Sequence, residues 1–231
     1  MQIPPTRAEA AAAELRRRIL DGHYPGGMQL RQAQLAEELG ISRIPFREAL
    51  VQLEAEGLVN TTPHKGATVA EMSPEDVSEQ FAFRALIEPE LLKVSGPNLQ
   101  PSDFEKLHSI LLEYSAELRS SNAARWGELN TELHSLLLGR AGRPRMKAVA
   151  DQLLQGTDRF TRMQLILTDG RERAEKEHGE LVRLCERGKF DAAAEVLRRH
   201  IQNAGEALVH VLLENKTADK QNKAAAPTLS D

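Results

Sequence analysis

The sequence predicts a mainly α protein: an N-terminal winged helix-turn-helix followed by an all-α antiparallel helical bundle. Three observations predict it. The first seventy residues hold short helical segments around a Gly turn, then two β-type runs joined by Pro63-His64-Lys65-Gly66. From Ser73 onward, segments of helical periodicity are separated by Gly and Pro, with no strand signal. The 231 residues are rich in charge and only 4% aromatic, which suits a helical globular chain.

Ala8–Leu20 reads as the first helix, with Leu15, Ile19 and Leu20 on one side, broken by Asp21-Gly22 and Pro25-Gly26-Gly27. Gln32–Leu39 is a short second helix with Leu35, Ala36 and Leu39 inward, and Gly40 makes the tight turn that follows. The third helix opens at Ser42 and is apolar through Phe46, Leu50 and Leu53. It carries Arg43 and Arg47 four residues apart, on one face, and stops at Glu56-Gly57. Two arginines at a helix start suit the DNA major groove, where Arg holds guanine O6 and N7 together and the helix N-terminus favours phosphate. Leu58–Thr62 and Ala67–Ala70 are the two expected strands of the wing.

Ser73-Pro74-Glu75-Asp76 starts the bundle: Ser as N-cap, Pro in the first position, acids in the first turn. This helix runs to about Val94, with Val77, Phe81, Arg84, Glu88 and Leu91 along one stripe, and stops at Gly96-Pro97. A second starts at Pro101 with the stripe Phe104, Leu107, Leu111 and Tyr114. A third covers Ala124 to Leu138, a fourth Pro144 toward Leu167, a fifth Arg171 to Arg187, and a sixth Phe190 to about Asn215. The expected organisation is residues 1–72, a DNA-binding domain; 73–216, a helical effector-binding and dimerisation domain; and 217–231, an aperiodic disordered tail.

Among the seven histidines, His178 and His200 flank the Gly188-Lys189 turn at nearly equal sequence distance. In an antiparallel hairpin both lie about 15 Å from the turn, at 1.5 Å per residue, so they can face each other. His134 sits on the third bundle helix with Asn130 one turn before it. Three imidazoles and an amide oxygen from three helices make a candidate bundle-core site for a divalent metal, with zinc the default and nickel or manganese alternatives. An Arg in an apolar stripe needs a partner, so Arg84 pairs either with Glu88 or with a ligand; Arg159 and Arg162 are weaker candidates for ligand contact. The remaining histidines read as turn or surface residues.

Charge is balanced in the first seventy residues, with eight basic and eight acidic side chains, so the net charge of −4 arises after residue 70. A neutral DNA-binding head favours weak non-specific affinity, with a dimer supplying the rest. The single Cys185 excludes an intrachain disulfide. No apolar run approaches the roughly twenty residues of a membrane span, and the N-terminus has no signal-peptide core, so a cytoplasmic protein without membrane partner is expected.

The N-terminal pattern resembles the GntR family of bacterial transcription regulators. The resemblance rests on Pro25-Gly26, Leu35-Ala36, Leu39-Gly40, Ser42-Arg43, Pro45, Arg47-Glu48-Ala49-Leu50, Leu53, Gly57-Leu58-Val59 and Lys65-Gly66-Ala67. It implies that Arg31, Ser42, Arg43 and Arg47 contact double-stranded operator DNA, and that the wing turn at Lys65-Gly66 reaches the minor groove. Ile44 departs from a Thr common in the family. The histidine spacing is similar to the FCD domain of the FadR branch, in its six-helix VanR-type form. There an Asp stands four residues before the first His; Asn130 departs from it. That resemblance implies a metal-anchored small carboxylate effector, with Arg84 as its counter-charge. The expected function is a homodimeric, metabolite-responsive regulator that is not an enzyme. The alternative is a metal-dependent, hydrolase-like enzyme fused to a winged-helix module, for which no general base is evident.

Overall fold

A computed structural model describes residues 6–20, 23–62, 66–71, 73–119, 123–168 and 170–225. The chain forms two compact units. One comprises residues 1–73 together with 210–231, the other residues 74–209.

In the first unit, α1 (Arg7–Leu20), α2 (Gln32–Glu38) and α3 (Arg43–Ala55) pack through Leu15, Leu35, Phe46, Leu50 and Leu53, all buried. Gly40 takes a left-handed φ of +65° between α2 and α3, which a side-chain-bearing residue adopts only at a cost. Glu56 caps α3 and is 3% exposed; it accepts hydrogen bonds from Arg16 Nε (2.7 Å) and Gln52 Nε2 (3.1 Å), tying α1 to the end of α3. The wing is β2 (Val59–Thr62) and β3 (Gly66–Val69), paired antiparallel with Thr62 opposite Gly66. The turn residues Pro63, His64 and Lys65 lie outside the described residues. A third strand, β1 (Gln29–Leu30), pairs with β3 on its other edge. Two residues are too few to show an alternating pattern, which is why periodicity missed it.

The second unit is built from α4 (Pro74–Ser95), α5 (Pro101–Arg119), α6 (Ala123–Leu138), α7 (Pro144–Leu167), α8 (Gly170–Glu186) and the first part of α9 (Phe190–Ala225). The anticipated stripe on α4 is buried throughout. On α5 the buried stripe is Leu107, Ile110, Tyr114 and Leu118, while Phe104 and Leu111 are half-buried. The reason is Asp103, which is pulled inward by Arg140 (2.9 and 3.0 Å) and accepts the Gln100 amide at 2.9 Å, turning the helix face. Helix α9 continues to Ala225, into the stretch expected as tail, because Glu, Lys, Ala and Gln sustain a helix without an apolar stripe; residues 226–231 lie outside the described residues.

Helix α4 contains Pro89 in its interior. Proline has no N–H, so the carbonyl four residues earlier, that of Ala85, loses its helical donor. Arg198 of α9 supplies the replacement: its Nη1 donates to Ala85 O at 2.7 Å. Close approach of the two helices is helped by Gly205, where a Cβ would lie 2.6 Å from Cβ of Phe81. Leaving a buried acceptor unpaired costs about 1–3 kcal/mol. Arg198→Met is therefore expected to destabilise the protein by that amount in urea unfolding, and Pro89→Ala, which restores the helical donor, to recover most of the loss in the double variant. Equal losses from Arg198→Met in the Pro89 and Pro89→Ala backgrounds contradict this account.

Candidate functional site

The first unit presents one face built from helix starts. Arg31 is the N-cap of α2 and Ser42 the N-cap of α3; neither side chain makes a capping hydrogen bond, and both residues are exposed. Arg43 and Arg47 are exposed and share a cleft of about 320 Å³ with Gln32 and Ala33. Ile44, 72% exposed, adds an apolar surface beside them. Gly66 is exposed at the start of β3 with φ +89°, and Lys65 lies outside the described residues.

The second unit gathers three imidazoles in its interior. One ring nitrogen from each of His134 (α6), His178 (α8) and His200 (α9) lies within 4.8 Å of the other two, and all three residues are buried. The His178 and His200 ring centroids are 4.6 Å apart, and both lie about as close to His134, at 5.5 and 5.6 Å. His134 Nε2 faces His178 Nε2 at 3.4 Å.

Carboxylates orient two of the rings. Glu88 of α4, fully buried, meets His134 Nδ1 at 2.6 Å, and Glu177 of α8 meets His200 Nδ1 at 2.7 Å. Burial alone would raise the Glu88 carboxyl, but the Arg84 charge and the hydrogen bonds from Arg84 and His134 outweigh it and hold it down at about 2. An ionised carboxylate only accepts, so the proton stays on Nδ1 and the Nε2 lone pair is free to coordinate. Burial pushes His134 below the ordinary imidazole value. The same burial, together with the Arg84 charge and neighbouring imidazoles that oppose a second positive ring, pushes His178 further down. Neutral rings with free lone pairs are the metal-binding form. His178 Nδ1 is buried with no hydrogen-bond partner.

Asn130 is buried on α6, one turn before His134, and lines a small cavity together with Arg84 and His200. Arg84 is 2% exposed and already engaged: Nε donates to Glu88 at 2.6 Å and Nη1 to Thr157 Oγ1 at 3.1 Å. Arg159 and Arg162 are placed elsewhere. Arg159 lies over the Phe160 ring at 4.6 Å and Arg162 pairs with Asp158 on its own helix; neither lines that cavity. Helix periodicity brought them to α7 but could not say which side of α7 faces the histidines. The sequence offers Glu177, with Glu128 and Glu132, only as a general base whose helix phase does not clearly bring it inward, although the hairpin arithmetic that sets His178 beside His200 applies to its neighbour as well. His108 and His210 are exposed and pair with Glu186 and Glu214. A wider open groove of about 700 Å³ lies between α6 and α7, lined in part by Glu132, Ser135 and Gln155, away from the imidazoles.

Comparison with known proteins follows the same division. Residues 7–69 match bacterial regulatory proteins of the gntR family, and residues 79–203 match the FCD domain. A crystal structure of a transcriptional regulator (GntR family member) from Pseudomonas syringae pv. tomato str. DC3000 is 32% identical, covering 91% of this chain and 90% of that one, with a TM-score of 0.51. The HTH-type transcriptional regulator YdhC of Bacillus subtilis (strain 168) is 24% identical over 88% of this chain and 91% of its own. The Nta operon transcriptional regulator of Aminobacter aminovorans is 24% identical over 82% and 89%.

The depressed imidazoles make stability depend on pH. Below about pH 6.5 the unfolded chain takes up protons that folded His134 and His178 refuse, so stability is full above that value and falls as pH drops. Each such site adds a slope of up to about 1.4 kcal/mol per pH unit. Urea unfolding of metal-free protein between pH 7.5 and 5.5 is expected to show this decline, with a shallower slope in His178→Gln. An unchanged slope in that variant contradicts the assignment.

Proposed function

This chain belongs to the gntR family of bacterial transcriptional regulators and carries an FCD domain, and from that premise we propose that a small carboxylic acid, held at a divalent-metal site in the helical unit, controls its binding to operator DNA. The observation that carries the reading is the convergence of His134, His178 and His200, two of them oriented by carboxylates, the buried Glu88 and the half-buried Glu177. A divalent metal there, zinc by the donor set with nickel or manganese also compatible, supplies positive charge and open positions for an acid's oxygens. Asn130 offers an amide oxygen, a weaker donor than a carboxylate. Arg84 offers the counter-charge by exchanging its bond to Glu88 for one to the acid.

In the first unit, Arg43 and Arg47 read bases or clamp the backbone. Arg31, Ser42 and the wing turn Lys65-Gly66 position the head on phosphates and in the minor groove. The protein acts as a homodimer: α4 leaves Phe83 and Leu86 exposed, and α7, which packs on α4, leaves Met146 and Val149 exposed, an apolar face suited to a second copy. No helix among the described residues is long and apolar enough to cross a membrane, and an operator-binding role places the protein in the cytoplasm. A hydrolase would need a free general base beside the cluster, whereas Glu88 and Glu177 are both engaged with imidazole.

The test joins metal to DNA. Elemental analysis after reloading with zinc, nickel and manganese is expected to find one metal per chain in the wild type and none in His178→Ala, with tighter binding in Asn130→Asp. On an operator selected from random duplexes, Arg43→Ala and Arg47→Ala are each expected to lose about 1–3 kcal/mol per bidentate base contact. A wild-type protein that stays metal-free after reloading removes the metal from the account, and wild-type operator affinity in both arginine variants removes the base-reading assignment.

A further inference from the structure

The cavity beside the histidines holds a polar group that neither the fold nor the metal reading uses. Tyr114 of α5 is 1% exposed, and its hydroxyl is buried without a hydrogen-bond partner. Its ring meets His178 edge-on, with centroids 5.0 Å apart, so two unpartnered polar groups, the phenol and His178 Nδ1, belong to adjoining rings. Burial raises the phenol above its ordinary value, which keeps it a neutral donor. A buried hydroxyl with nothing to bond weakens a fold, and phenylalanine would fill the same space without that penalty. Tyr114 therefore has the features of a group kept for a ligand.

The chemistry of the walls narrows that ligand. Tyr114 shares the cavity with Arg84, Asn130, Gln164 and His200, against the apolar Phe81. Its free volume is about 10 Å³, room for about one water, so an acid enters only as a wall moves. A carboxylate has two oxygens, and the positive groups of the site suffice for both. Tyr114 adds a neutral, directional donor beyond what a lone carboxylate fills, whereas Gln164 already donates to Thr168 Oγ1 at 2.7 Å.

We propose that the Tyr114 hydroxyl is a specificity-determining contact: among small carboxylic acids, it selects those bearing a second oxygen, hydroxyl or carbonyl, next to the carboxylate. This rests on the reading of the histidine cluster as a metal-held acid site. A site built to bond a hydroxyl discriminates strongly against the analogue that lacks it.

The experiment compares full-length wild type with Tyr114→Phe, using zinc and two matched acid pairs, acetate with glycolate and succinate with malate. Three results are expected. Metal-free Tyr114→Phe unfolds at an equal or higher temperature, by up to about 2–4 °C. Zinc affinity changes by less than about twofold, because the phenol is not a ligand. Zinc-loaded wild type prefers the hydroxy acid of a pair by about tenfold or more, and the variant loses that preference. A variant that keeps the preference, or one that melts lower when metal-free, overturns the proposal. If wild type takes up zinc but binds acids and hydroxy acids alike, or binds neither, the proposal falls while the metal reading stands. If it takes up none of zinc, nickel and manganese, both fall.

Discussion

A single buried carboxylate organises the helical unit. Glu88 has no solvent exposure, yet it is held ionised by Arg84 on its own helix and by His134 from α6. Removing a carboxylate from water is costly, and the cost is offset only when every partner is in place. Arg84 is fixed in turn by Thr157 of α7. One charge thus ties α4, α6 and α7 together and sets the proton on His134, which decides where that imidazole's lone pair points. Glu177 does the same for His200 at the other edge of the cluster. The metal-binding character of the histidines is therefore a property of their carboxylate partners as much as of the rings.

Helix α4 connects this chemistry to the rest of the chain. It begins at Pro74, directly after the first unit's last N-terminal residue, Ser73, and it carries both Arg84 and Glu88. Pro89 interrupts its hydrogen bonding next to Glu88, and Arg198, two residues before His200 on α9, closes the gap. A ligand that draws Arg84 away from Glu88 acts on a helix already held by one tertiary bond in place of a helical one. Such a helix needs a smaller differential interaction to shift than an uninterrupted one.

Much of this was legible in the sequence because it rests on periodicity and breaks. Gly40, Gly96, Gly139 and Gly188 mark helix ends within a residue or two of where the structure has them, and equal distances from Gly188 set His178 against His200. What was not legible depends on helix rotation and on partners far away in the chain. The buried face of α5 is turned by Asp103, whose reason is Arg140; Arg159 and Arg162 fall outside the cavity through the rotation of α7. β1 is two residues long. The consequence of Pro89 becomes visible only with Arg198 beside it, and the unpartnered state of Tyr114 only with its surroundings in place. Spacing locates a residue on a helix, whereas hydrogen-bond satisfaction is a property of the assembled interior.

The central claim is that burial keeps His134 and His178 neutral, while the Glu88 carboxylate fixes the His134 tautomer and turns its Nε2 lone pair toward His178. Nitrogen-15 NMR of the histidine rings in metal-free protein at pH 7 tests it most directly. His134 is expected as the Nδ1–H tautomer with unprotonated Nε2, and its Nε2 signal is expected to shift when zinc is added. A His134 ring protonated at Nε2, or doubly protonated imidazolium at His134 or His178 at that pH, would contradict the account.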